Sequence, residues 1–148
     1  MVERSVGSER RNPLRLAMWS GPRNISTAMM RSWGNRADTV VVDEPFYAFY
    51  LARTQKKHPG AEEVIARGET DWKKVVASLT SDVPVGKSVF YQKQMTHHLL
   101  PEMERDWLGS LTNCFLIREP SEVARNLCSL IHCIDELTKL TPLLSIAA

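Results

Sequence analysis

The sequence predicts an α/β protein built on a parallel sheet of about four strands with helices on both faces. Three observations carry that expectation. Short, mostly apolar runs recur four times, stretches with helical spacing separate them, and each run ends in polar or ionisable residues. Strands joined through helical stretches imply right-handed β-α-β crossovers and hence parallel neighbours. Such a sheet places its ligands at the carboxyl ends of the strands.

The elements follow in order. Residues 1–12 are polar and rich in Gly, Ser and Arg, which suits a mobile leader ahead of a single domain spanning 13–148. Leu14 to Trp19 reads as a buried strand between Pro13 and the turn Ser20-Gly21-Pro22. Ser26 to Asn35 reads as a helix capped by Ser26 or Thr27. Thr39 to Val42 is an uninterrupted β-branched run, as expected of a strand covered on both faces. Pro45 can open a helix running to about Arg53. Ala61 to Arg67 and Asp71 to Leu79 also read as helical, with Asp71 as a cap and Val75, Val76 and Leu79 in one stripe. Lys87 to Gln92 reads as the third strand, Leu99 to Leu108 as a helix, and Cys114 to Ile117 as the fourth strand. Pro120 can start a last helix, in which Leu127, Leu130, Ile131, Ile134 and Leu137 keep helical spacing as far as Pro142.

Composition narrows the function classes. With 43% hydrophobic and 24% charged residues, the 148-residue chain is an ordinary globular sequence. Its apolar runs fall far short of the roughly 20 residues a membrane span needs, and the polar start has no signal-peptide core. Three cysteines, Cys114, Cys128 and Cys133, are too few for a disulfide scaffold. A cytoplasmic protein is expected. Residues 1–36 hold seven Lys/Arg against two acids, which points to an anionic ligand near the first element or to a solvated basic arm. Nucleic acid and membrane are not expected as partners. Cys128, His132 and Cys133 lack a fourth ligand, so no metal site is expected.

Ser20-Gly21-Pro22-Arg23-Asn24-Ile25-Ser26-Thr27 joins the first strand to the first helix. Backbone N–H groups and the positive end of the helix dipole then face a bound anion, phosphate or sulfate. Arg23 adds a planar guanidinium, and the Ser26 and Thr27 hydroxyls add donors. The alternative is a plain turn with Arg23 in solvent. No Lys precedes Ser26, so this is not the loop of Mg-nucleotide enzymes.

Four segments in order, Leu16 to Thr27, Val40 to Tyr47, Gln92 to His98 and Phe115 to Val123, resemble the sulfotransferase family, in particular its bacterial and plant P-loop-type members. The resemblance implies a P-loop NTPase-like, three-layer fold. It implies as donor 3'-phosphoadenosine 5'-phosphosulfate (PAPS), whose sulfuryl group goes to a hydroxyl or amine of a small-molecule acceptor, with no metal. By the same resemblance Ser20, Gly21, Pro22, Arg23, Asn24, Ile25, Ser26 and Thr27 form the 5'-phosphosulfate loop, with Asn24 and Ile25 in place of the usual Ser-Gly. Arg118 holds the 3'-phosphate, and Asn126 takes the place of a hydroxyl residue that shares that contact. Glu44, 21 residues after Arg23, becomes the general base, Lys93 the cation for the leaving group, and His97 a second-choice base. Asp43 reads as structural.

After Val123 the resemblance fades, and the family's later helices and its C-terminal phosphate-closing loop have no counterpart. A truncated domain of this kind exposes apolar surface, so a homo-oligomer is a further expectation. The other reading is a non-catalytic anion- or nucleotide-binding or interaction module that keeps the P-loop scaffold.

Overall fold

In the computed structural model, residues 12–128 are described. Four strands, β1 (Leu14–Ser20), β2 (Thr39–Asp43), β3 (Val89–Met95) and β4 (Thr112–Leu116), form one sheet in the order β2-β3-β1-β4. Every pairing is parallel. The α/β expectation with a four-stranded parallel sheet holds. Helices α1 (Ser26–Gly34), α2 (Tyr47–Thr54), α3 (Ala61–Arg67), α4 (Trp72–Thr80) and α5 (Pro120–Cys128) complete the described chain.

Strand alternation sorts the side chains into two faces. On one face α1 stacks the Trp33 ring on Tyr91, centroids 5.5 Å apart, and lays Gly34 over Val41. The opposite face carries the main core, where Phe46, Phe49, Val75, Leu79 and Met103 are buried against Val42 and Phe90. Burial of each such large side chain contributes roughly 1.5–3 kcal/mol. A second cluster, Ala17, Trp19 and Leu111, extends this face under Leu99 and Trp107. The Trp19 indole N–H donates to Asn113 Oδ1 at 2.8 Å, so its polar edge is satisfied inside the core.

Several elements differ from the expectation. The third strand begins two residues later than expected and runs on to Met95, which places Lys93 inside it. It runs on because Gln92, Lys93 and Gln94 are all buried, and Gln92 Nε2 donates to the last-turn carbonyl of Leu79 in α4 at 2.9 Å.

Residues 99–108 do not form a helix. Pro101 lacks an N–H and disfavours helical backbone at Leu100. The Arg105 guanidinium instead donates to the carbonyls of Leu99, Leu100 and Met103, at 3.3, 3.0 and 2.8 Å. Regular structure here is confined to two 3-10 turns, Thr96–His98 and Asp106–Ser110.

The cap of α1 also differs. Its N-cap position is Ile25, and Asn24 Oδ1 accepts the Ser26 N–H at 3.0 Å in place of a Ser or Thr cap. Asp71 caps α4 as expected, accepting from the Lys73 N–H at 2.9 Å. Ala61–Arg67 is helical over the expected residues. Most of the expected leader (1–11) and the tail beyond 128, with His132, Cys133 and the apolar stripe to Leu137, lie outside the described residues. No described helix is long and apolar enough to cross a membrane.

Candidate functional site

The strands end close together on one side of the sheet. Asp43, Lys93, Met18 and Cys114 lie in one row, where β2 ends, and the other three strands run two residues further, to Met95, Ser20 and Leu116. Everything that follows a strand therefore opens onto a single rim. α1 leaves this rim on one face while α2 and the 3-10 segments leave on the other, the arrangement in which a parallel sheet takes its ligands at the strand ends, here beside β1.

At the β1–β4 side of the rim is the loop 20–27. Arg23 has a left-handed backbone, φ 59°, a conformation that costs a non-glycine residue about 1 kcal/mol. Arg118, two residues past β4, donates from Nη1 to the Arg23 carbonyl at 2.6 Å. Asn24 ties the loop down a second time, donating from Nδ2 to the Leu116 carbonyl at 3.4 Å while its Oδ1 holds the Ser26 amide. Asn24 is thus committed to the scaffold on both of its side-chain atoms. Ser20 and Ser26 are buried, with Ser20 Oγ against the Gln94 carbonyl and Met95 Sδ, and Arg23 and Thr27 are exposed. Ile25 is 64% exposed. The Arg118 guanidinium, the Arg23 backbone and the first turn of a nine-residue helix meet here, with the Arg23 side chain exposed beside them. That donor set fits an anion of the phosphate or sulfate type.

At the β2–β3 side is an ion triad. Lys93 is 3% exposed, and its ammonium donates to Asp43 Oδ1 at 2.7 Å and to Glu44 Oε1 at 2.5 Å. Burial pulls its pKa down, yet the two carboxylate hydrogen bonds outweigh this and hold it above the ordinary lysine value. Lys93 is a fixed cation. Glu44 also has a left-handed backbone, φ 43°, and its N–H donates to the Lys93 carbonyl at 3.0 Å. The two sides of the rim meet where Thr96 Oγ1 donates to the Ser20 carbonyl at 3.4 Å.

Behind Lys93 lies a cluster of rings. His98 is buried, stacked on Tyr47 with centroids 5.1 Å apart and tilted against Tyr50 at 4.7 Å. Burial, then the neighbouring His97, Lys93 and Lys56 charges, push its pKa down to about 3, so it is a neutral imidazole. The Tyr47 phenol is pushed up by burial and by the Glu44 charge. His97 is exposed and edge-on to both Tyr50 and His98. The two neighbouring histidines are therefore divided, because His98 turns into the core between two tyrosines while His97 stays exposed.

Arg23, Glu44, Lys93 and Arg118 thus share one rim, as two interlocked couples, with His97 beside the second. Asn126 falls on α5, but its side chain lies outside the described residues. Sequence reading missed Asp43 as the second carboxylate on Lys93. The available signal was its place at the last position of a β-branched run, level with the polar end of another strand. Among the described residues no group of three or more His, Cys, Asp or Glu is arranged to hold a metal.

Two curated proteins of Arabidopsis thaliana match: branched-chain-amino-acid aminotransferase-like protein 1, 35% identical over 108 residues, and branched-chain-amino-acid aminotransferase-like protein 2, 31% identical over 105 residues. Each match covers 71% of this chain and 19% of the relative, so the chain spans about a fifth of the length of these proteins. No solved structure matches. A sulfotransferase domain model matches residues 14–139, from the first residue of β1 onward. With its parallel sheet, strand-to-helix loop and basic rim, the chain belongs to the sulfotransferase domain family.

Proposed function

We propose that the chain binds PAPS at the strand ends beside β1 and transfers its sulfuryl group to a hydroxyl or amine of a small-molecule acceptor. The observation that carries this reading is the meeting, on one rim, of a strand-to-helix loop tied to Arg118 with a buried cation tied to a carboxylate. Arg23 and the first-turn amides of α1 hold the 5'-phosphosulfate, and Arg118 holds the 3'-phosphate. PAPS, when bound, supplies an activated sulfur with a phosphate leaving group.

Glu44 takes the acceptor's proton as the new bond to sulfur forms. The sulfur–oxygen bond to the phosphate breaks, its electron pair stays on the bridging oxygen, and Lys93 stabilises that charge. Glu44 then returns the proton to water, leaving a sulfated acceptor and 3'-phosphoadenosine 5'-phosphate (PAP). Positioning and fixed charge provide the catalysis, as they do in phosphoryl transfer.

Calorimetric titration with PAP tests the donor site, with Arg23→Ala and Arg118→Ala beside the parent chain. Each variant is expected to lose about 10- to 100-fold in affinity, the size of a charge-assisted hydrogen bond. Absence of any nucleotide-dependent heat in the parent removes the reading. A second reading, a nucleotide-binding module without turnover, draws on the engagement of Lys93 by two carboxylates. A labelled-sulfate transfer assay over a panel of hydroxyl and amine compounds separates the two.

A further inference from the structure

Two carboxylates on one ammonium are more than charge neutrality requires, and they are not equivalent. Asp43 is the last residue of β2 and stands directly opposite Lys93 in the β2–β3 register, so both side chains leave the same face of the sheet. Its short arm is placed by the ladder itself. Glu44 lies one residue beyond the strand on a left-handed backbone and carries an arm one methylene longer. Its side chain stands outside the register-paired residues and is 28% exposed, against 50% for Asp43.

We propose that the two carboxylates divide the work: Asp43 is the permanent counter-ion that fixes Lys93, and Glu44 is the exchangeable partner that leaves the ammonium to meet the acceptor. Asp43 is then a positioning residue, acting through Lys93. The inference rests on the reading of Glu44 as the base. Its physical basis is that a buried ammonium stripped of every carboxylate is costly, so a base drawn from a buried ion pair needs a second anion that stays behind. Lys93 has three N–H donors. Two are taken in this structure, and the departure of Glu44 leaves two for the leaving-group oxygen while Asp43 keeps the third.

The test reads Lys93 without depending on turnover. The 148-residue chain and its variants are labelled with acetic anhydride, and acetylation at each lysine is followed by mass spectrometry, with Lys74 and Lys87 as internal controls. Asp43→Asn is expected to raise Lys93 labelling about tenfold, one pKa unit of lost ammonium stabilisation. Glu44→Gln is expected to raise it less than about twofold, since Asp43 remains. Asp43→Glu restores protection. Equal effects of Asp43→Asn and Glu44→Gln, or a larger one from Glu44→Gln, overturn the proposal. Should Asp43→Asn fail to fold, Lys93→Met must restore folding in that background; a chain that stays unfolded overturns the proposal as well. PAP titration of the parent reads the donor site separately, so loss of nucleotide binding sinks the functional reading and leaves the labelling result intact.

Discussion

Glu44 and Lys93 are joined twice: the Glu44 N–H donates to the Lys93 carbonyl at 3.0 Å, and the Lys93 ammonium donates to the Glu44 carboxylate at 2.5 Å. The backbone bond carries the β2–β3 ladder one step past the end of β2, and so fixes where the residue after the strand begins. The side-chain bond then decides which group that residue presents to the rim. Position and chemistry at residue 44 are thereby separable by substitution.

Glu44→Gln keeps the shape and the backbone bond and removes the charge. PAP affinity is expected to stay within about twofold of the parent, because Arg23, Arg118 and the α1 amides are untouched. Transfer is expected to fall about 10²- to 10⁴-fold, the usual contribution of a general base. A transfer rate equal to the parent's, in the labelled-sulfate assay, removes Glu44 from that role.

His98 makes stability depend on acid. Its folded pKa lies near 3, lowered first by burial, whereas in the unfolded chain the imidazole takes its proton near 6.5. The unfolded state therefore binds more protons between those values. Stability is complete above about pH 6.5 and is lost as the pH falls, by about 1.4 kcal/mol per unit. Urea unfolding at about pH 7 and pH 5 is expected to differ by roughly 2 kcal/mol in the parent. His98→Gln is expected to flatten that difference, and an unchanged difference in the variant assigns the acid sensitivity elsewhere.

Arg105→Ala removes the group that binds three carbonyls in the segment replacing the expected helix. A loss of about 1–3 kcal/mol is expected from chemical denaturation. Lys cannot supply the same fork, so Arg105→Lys is expected to recover only part of it.

Gly68 ends α3 directly over α2. A Cβ at this position would stand 2.5 Å from the Ala48 Cβ and 3.0 Å from the Val64 carbonyl oxygen. Gly68→Ala is accordingly expected to destabilise the chain by about 1–3 kcal/mol, as overpacking does, and the thermal midpoint checks it. The backbone conformation is not the obstacle, because φ at this residue is -98°.

Local chemistry was legible wherever neighbours in sequence decide the structure. The helices over 61–67 and 72–80 and the Asp71 cap are read correctly because capping and helical spacing are local properties. What was not legible depends on distant partners. Lys93 reads as a strand-end lysine until Asp43, 50 residues earlier, is placed across from it. His98 reads as a loop residue until Tyr47 and Tyr50 enclose it. Residues 99–108 read as a helix, and only the Arg105 contacts show where the carbonyls go instead. At the rim, four motifs in order sufficed to place Arg23, Glu44, Lys93 and Arg118 together, since parallel strands send all their exits the same way.

The strand order has one more consequence, for how the chain comes off the ribosome. β1 and β2 are not bonded to each other, and β3, which lies between them, is made last of the three. Ser20 waits 75 residues for Met95, and Arg23 waits 95 for Arg118. Sequence-distant pairing of this kind slows folding, and the Arg118 bond to the strand-to-helix loop can form only once synthesis has passed the fourth strand.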